Sequence, residues 1–300
     1  MKLSQQAVAV LQAIFVTVLW ASSWVLIKFG LRADLPALTF AGLRYTLAFV
    51  CLAPFVLLSA KNRIAIQAFT RKDWMRFALL GIVYYTLTQG AQFLSLAYLP
   101  AAAASLMLNL TPLVVGVFGI VLLHEHPSRG QWFGIALTIL GVAVFFLPLN
   151  LQAAPLFGLL VAFGGVVTNA ASSLMGRQAN RLADSSPLLI TFISMGIGSV
   201  ALLLVGIIFQ GFGKLDLQGW LIIAWLAIVN TAFAFTLWNH TLRTLSAVES
   251  SIINSLMMPQ IAILAYIFLG EALHGKEIAG LILVGLGVLI VQLKRVKPSP

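Results

Sequence analysis

The stretch Gly134-Ile-Ala-Leu-Thr-Ile-Leu-Gly141-Val142 returns 146 residues later as Gly280-Leu-Ile-Leu-Val-Gly-Leu-Gly287-Val288. Working outward in the same register, Trp74 falls on Trp220, Leu99 on Leu245 and Glu125 on Glu271. Without gaps from Trp74 to Leu147, 18 of 74 positions are identical, where a chain this rich in Leu and Ala gives about 7 by chance. The earlier part repeats more weakly at an offset of 149, Trp20-Ala-Ser-Ser-Trp-Val-Leu-Ile-Lys28 on Asn169-Ala-Ala-Ser-Ser-Leu-Met-Gly-Arg177. The chain therefore reads as two copies of one unit, residues 1–148 and 149–300.

Composition says what solvent that unit was built for. Of 300 residues, 61% are hydrophobic and 9% charged, with a mean hydropathy of +1.02. A soluble domain carries roughly 25% charged residues, so this is an integral membrane protein. The single cysteine, Cys51, excludes a disulfide framework within one chain. The first apolar run, Ala7 to Ile27, is long enough to be a span and is not followed by soluble sequence, so it does not read as a signal peptide. The net charge of +10 needs no nucleic acid, because Lys and Arg gather in the cytoplasmic loops of membrane proteins.

Crossing the hydrocarbon core takes about 20 apolar residues. Ten such stretches are legible, near 8–29, 37–58, 75–97, 101–122, 131–148, 156–177, 187–209, 220–242, 247–269 and 277–293. All should be helices, since lipid offers an open strand edge no partner. Turn signals separate them, among them Asp34-Leu-Pro36, Leu99-Pro100 and Gly211-Phe-Gly213. With the N-terminus inside, 13 of the 18 basic residues fall in inner segments and 3 in outer ones. Both termini are thus expected in the cytoplasm. Five helices per copy is an odd number, so the second copy should lie upside down in the bilayer, an arrangement that serves alternating access.

Pro112 and Pro259 sit at matching depth in the fourth and ninth spans. A proline inside a helix frees the carbonyl four residues back, here those of Leu108 and Ser255, so both read as gate hinges, with a static kink as the bland alternative. Polar and aromatic residues within spans are candidates to line a cavity: Trp20, Tyr85, Gln89, Gln92, Asn109, Asn169, Trp238, Asn239 and Asn254. Tyr85, Gln89 and Gln92 share one helix face by spacing, and intramembrane polar groups point to the bundle interior. The bland alternative is that they join helices to one another. Lys28 and Arg44 read as structural charges, with Asp34 the nearest acid to partner Arg44. Glu249 and His240 are candidates for proton coupling, against the simpler reading of Glu249 as a helix-start charge paired with Arg243.

Other chemistries find no support. His124-Glu125-His126 lacks a third ligand, and no metal site or cofactor is expected. The aspartates all fall in loops, and no phosphate-binding Gly-rich loop with Lys is present. An intramembrane transferase or a non-transporting subunit remain the rival classes.

Taken together, Trp20-Ala-Ser-Ser-Trp-x-x-x-Lys28, Leu43-Arg44-Tyr45, Ser95-Leu-Ala-Tyr-Leu-Pro-Ala101, Pro112 and Leu122-Leu-His-Glu125 resemble the drug/metabolite transporter superfamily in its EamA branch. Pro259, Phe268-Leu-Gly-Glu271 and Gly280 to Gly287 form the second copy of that pattern. The resemblance implies an all-α membrane protein of ten helices in two inverted five-helix repeats, with cytoplasmic termini in the inner membrane. It implies export of small metabolites, amino acids or related compounds, through a central cavity. Drug-like aromatic cations are the alternative cargo. The expected partners are that small molecule and the lipid bilayer, with proton coupling and a monomer or homodimer both open, and no enzyme activity. Asn169 stands where the first copy has Trp20, and Ile193 where it has Arg44.

Overall fold

The computed structural model describes residues 5–111, 113–115, 128–147, 153–182, 187–241, 244–245, 253–254 and 256–293. Among these the chain is helical and forms no strand. The elements are α1 (Gln5–Arg32), α2 (Ala37–Leu57), α3 (Ala60–Ala68), α4 (Arg71–Gly81), a π-helical segment π1 (Ile82–Gln89), α5 (Gly90–Tyr98) and α6 (Ala101–Leu108). They continue with α7 (Arg129–Phe146), α8 (Ala153–Leu182), α9 (Pro187–Gln210), α10 (Leu217–Ala227), π2 (Ile228–Phe233), α11 (Ala234–Thr241), α12 (Met257–Leu269) and α13 (Gly275–Leu293). Five described stretches are long and apolar enough to cross a bilayer: Gln5–Arg32, Ala37–Leu57, Pro155–Gly176, Leu188–Gln210 and Leu217–Trp238. Large apolar side chains cover the outside, with Phe209 79% and Phe55 77% exposed. Only lipid makes such a surface stable. Between the second and third expected spans, α3 is a short basic helix that buries none of its residues.

Helix ends follow the turn chemistry. Gly211, Gly213 and Gly270 take positive φ, which glycine adopts without a Cβ clash. Asp216 accepts from the N–H of Gly219 at 2.7 Å to start α10. Thr70 and Asp73 form a reciprocal capping box at α4. The Thr70 hydroxyl and backbone N–H, both bonded to the Asp73 carboxylate, hold its pKa below the ordinary value. At α6, Pro100 has no N–H, and Glu271 supplies the cap from far along the chain. Its carboxylate accepts from the N–H of Ala101 at 2.8 Å and of Ala102 at 3.2 Å, a charge suited to a helix N-terminus.

The chain forms two compact units. One comprises residues 1–25, 98–159 and 233–300. Its core is Ala102, Leu106, Phe145, Met258, Val284 and their neighbours. Within it α7 and α13 pack along their length. A Cβ on Gly141 would lie 2.8 Å from the Gly280 carbonyl oxygen, and one on Gly287 would lie 2.7 Å from the Gly134 carbonyl oxygen. Residue 141 thus meets 280 while 134 meets 287, so the two helices run antiparallel. Shifting by 146 turns the first pair into the second.

The other unit comprises residues 26–97 and 160–232. Here α9 packs against α2, π1 and α4. Glycines again bring backbones together, Gly42 against Leu203, Gly206 against Thr39, and Gly81 against Ser194 and Gly198. Small residues do this work in membranes because lipid supplies no hydrophobic drive between helices. Phe49 and Phe192 stack with centroids 4.6 Å apart. The Thr86 hydroxyl donates to the Gly198 carbonyl at 2.8 Å.

Candidate functional site

Regular helix fails at matching places in the two copies. π1 begins at Ile82 and π2 at Ile228, which is 146 residues on. In each, a threonine hydroxyl donates to a carbonyl five residues back, Thr88 to Val83 at 2.9 Å and Thr231 to Leu226 at 2.8 Å. That reach suits the wider π turn, whereas α-helical back-bonding stops at three or four. A second interruption also repeats. The Leu110 N–H donates to the Met107 carbonyl at 2.9 Å, and the Leu256 N–H to the Ile253 carbonyl at 3.1 Å, both tight three-residue turns at the 146 offset.

These turns change the reading of the prolines. α12 starts at Met257, so Pro259 lies in its first turn, where the missing N–H would have had no partner anyway. Of the expected span from 247, the residues described are 253–254 and those from 256 onward, with α12 beginning at Met257. Pro112 lies outside the described residues, but the Leu108 carbonyl four residues before it accepts from the Thr111 hydroxyl at 2.7 Å. Asn109 caps α6 and donates to the Ser105 carbonyl at 2.8 Å. Asn254 is exposed.

The predicted cavity residues divide between the units. In the first, Trp20 stands 5.1 Å from Trp238 and 5.3 Å from Phe235, ring to ring. The Trp20 indole N–H is buried with no acceptor among the described residues. Tryptophan finds a partner for that group when it is buried for structural reasons alone. The side chain of Asn239 and all of Glu249 lie outside the described residues, and His240 is exposed at the end of α11.

In the second unit, Tyr85 and Gln89 are buried on π1 and Gln92 is half-buried on α5. Tyr45 donates to Gln89 Oε1 at 2.7 Å, and the Tyr84 ring meets that of Tyr85 edge-on at 4.8 Å. The Tyr45 ring meets that of Tyr85 edge-on at 5.5 Å. Beside them Arg44 is 4% exposed. Its Nε donates to Thr231 Oγ1 at 3.2 Å, and its guanidinium carbon lies 5.1 Å from the Tyr45 ring and 5.8 Å from that of Phe93. Asp34, the expected partner, is exposed and makes no ion pair with it. An αL turn holds Asp34 at the surface (φ 58), beyond the start of α2, which itself lies about 10 Å of helix rise from Arg44. Lys28 and Asn169 are half-buried, and Asn169 anchors Ser172, whose hydroxyl donates to the Asn169 carbonyl at 2.8 Å. The same bond joins Ser23 to Trp20 at the 149 offset, so both serine pairs serve their own helices.

Tyr45, Thr231 and Phe235 were not among the expected site residues. Tyr45 adjoins Arg44, and Thr231 is the repeat mate of Tyr85, a signal available from the alignment of the copies. Among the described residues no group of three or more His, Cys, Asp or Glu side chains could hold a metal ion.

Lipid-facing helices with buried polar clusters define a multi-pass membrane protein. The chain belongs to the EamA-like transporter family, whose sequence profile matches it twice, over residues 7–147 and 156–293. It is 28% identical over 284 residues to the uncharacterized transporter YvbV of Bacillus subtilis (strain 168), covering 93% of this chain and 90% of that one. It is 27% identical over 289 residues to a probable amino-acid metabolite efflux pump of Salmonella typhimurium (strain LT2), covering 93% and 92%. A solved crystal structure, 19% identical, shares the fold with a TM-score of 0.66 over 95% of this chain and 98% of its own.

Proposed function

We propose that this chain is a secondary transporter exporting small amphipathic metabolites, amino acids or related compounds, by alternating access through a central cavity. Its ten spans form two inverted copies, residues 1–148 and 149–300, with both termini cytoplasmic in the inner membrane. The observation that carries the reading is the recurrence of helix interruptions at one register, the π segments at Ile82 and Ile228 and the tight turns at Leu110 and Leu256. Interrupted helices in corresponding positions of two halves are where transporters build their binding sites. The exchanged glycine contacts of α7 and α13 support the inversion, and the two matches of the family profile support two copies.

An amino acid needs an apolar surface and polar groups that fix its ends. Within one unit the Trp20, Trp238 and Phe235 rings offer the first; within the other the amides of Gln89 and Gln92 offer the second. Asn109, Asn169, Asn239 and Asn254 are the further candidate contacts, and Pro112 and Pro259 the candidate gate hinges. His240 and Glu249 are the groups through which protons would couple. The Salmonella relative's name supports the amino-acid class of cargo. No enzymatic step or cofactor is assigned.

The test is uptake of labelled amino acids, aromatic compounds and cationic drugs into proteoliposomes, with and without a pH gradient. Saturable uptake of amino acids, weakened by Trp238→Ala or Gln92→Ala, supports the reading. Uptake untouched by both variants removes those site residues. Uptake of cationic drugs alone moves the cargo to that class, which an aromatic cage also suits.

A further inference from the structure

Arg44 is a cation enclosed in protein at the eighth residue of α2, about 10 Å along the helix from its start. A guanidinium carries five N–H donors. Among the described residues only Thr231 accepts from it, through Nε, and no carboxylate lies within ion-pair distance. The described acids are committed elsewhere. Asp73 caps α4, Asp216 caps α10, Glu271 caps α6, and Glu277 accepts from the His274 N–H and pairs with Lys276. Asp34 is exposed. The faces of Tyr45 and Phe93 soften the charge without accepting its terminal N–H groups. An arginine this enclosed in a membrane protein, with no acceptor for its two terminal nitrogens among the described residues, is placed for an oxyanion that comes and goes.

We propose that Arg44 is the anion anchor of the transporter. Its terminal N–H pair takes the carboxylate of the cargo in a two-pronged bond, while Thr231 fixes the plane of the guanidinium from π2. Gln89, held by Tyr45 from the same helix as Arg44, stands ready for a second polar group of that cargo. Ile193 occupies the matching position of the other copy, so the anchor is single and the cargo binds in one orientation. The substrate class is then carboxylates, amino acids included, and not simple amines. This inference rests on the transporter reading and narrows it.

The experiment uses the purified full chain and matched probes in three side-chain classes: phenylalanine, leucine and threonine, each with its amide and its decarboxylated amine. Thermal unfolding in detergent reads binding, and proteoliposome uptake reads transport. At least one free acid should raise Tm and be transported, while its amide and amine bind at least about tenfold more weakly, the worth of one charge-assisted bond. Arg44→Gln should abolish that discrimination, and Arg44→Lys, which keeps charge but not the fork, should restore it in part. If Arg44→Gln fails to fold, the acid-to-amine ratio of the wild-type protein and of Thr231→Val decides. Equal binding of acid and amine, discrimination retained in Arg44→Gln, or no stabilisation by any acid overturns the anchor. Transport of amines without acids overturns it while leaving the transporter reading intact; transport of no probe counts against that reading itself.

Discussion

The seam between α7 and α13 makes a prediction that depends on nothing about cargo. A Cβ added at Gly141 would sit 2.7 Å from the Val284 nitrogen, 2.8 Å from the Gly280 oxygen and 2.9 Å from Leu283 Cβ. At Gly287 it would sit 2.7 Å from the Gly134 oxygen, 2.8 Å from the Thr138 nitrogen and against the Thr138 hydroxyl. Comfortable carbon contacts begin near ~3.5 Å, so alanine at either site must push the helices apart by about 0.5–1 Å. Four of these six atoms are backbone and a fifth is the Cβ of Leu283, none of which can swing aside. A gap of that size forfeits roughly a quarter to a half of each contact along the seam, and overpacking of this kind typically costs about 1–3 kcal/mol. The backbone gains about 0.5–1 kcal/mol from replacing a helical glycine, leaving a net loss of about 1–2 kcal/mol at each position. Gly164 is the control, helical with nothing within 4 Å of its would-be Cβ; Gly164→Ala should gain about 0.5–1 kcal/mol. The assay is unfolding by dodecyl sulfate titration in mixed micelles, followed by tryptophan fluorescence and far-UV circular dichroism. Gly141→Ala and Gly287→Ala should fall together, about 2 kcal/mol below Gly164→Ala. If they match the control, the close approach is wrong. If only one falls, the two-fold exchange of contacts is wrong.

Two further outcomes follow from named bonds. Glu271→Ala strands the N–H groups of Ala101 and Ala102 at the start of α6 and should lose about 1–2 kcal/mol, seen as a fall of several degrees in Tm; an unchanged Tm refutes the cap. Tyr45→Phe deletes the 2.7 Å bond to Gln89 and should cost about 1 kcal/mol of cargo binding, raising KM several-fold in proteoliposome uptake while Tm moves little. An unaltered KM would make Gln89 a packing residue only.

Much of this was legible without coordinates. Helix content and membrane insertion follow from hydropathy, because each residue answers to lipid independently of its distant neighbours. The glycines of Gly134 to Gly141 and Gly280 to Gly287 were visible as a repeat, but not that they face one another with the pairs exchanged. The prolines marked matching places, yet hydropathy did not reveal that α12 begins just ahead of Pro259. Nor did periodicity disclose π1 and π2, since one extra residue in a turn leaves an apolar window just as apolar. The threonines at 88 and 231 are common residues whose reach to the fifth carbonyl exists only once the turn has widened.

What the sequence by itself determined is the class: a lipid-dissolved helical chain of the EamA-like family, matched twice by the family profile. Those properties are local sums of transfer energy and charge, and they add along the chain in order. The tertiary structure alone decided the partners. Arg44 bonds Thr231 across 187 residues, and Glu271 caps α6 across 170. Asp34, only ten residues from Arg44, stays at the surface. In a medium with almost no water, a charge is governed by whatever packing brings within about 4 Å, and nearness along the chain does not decide that.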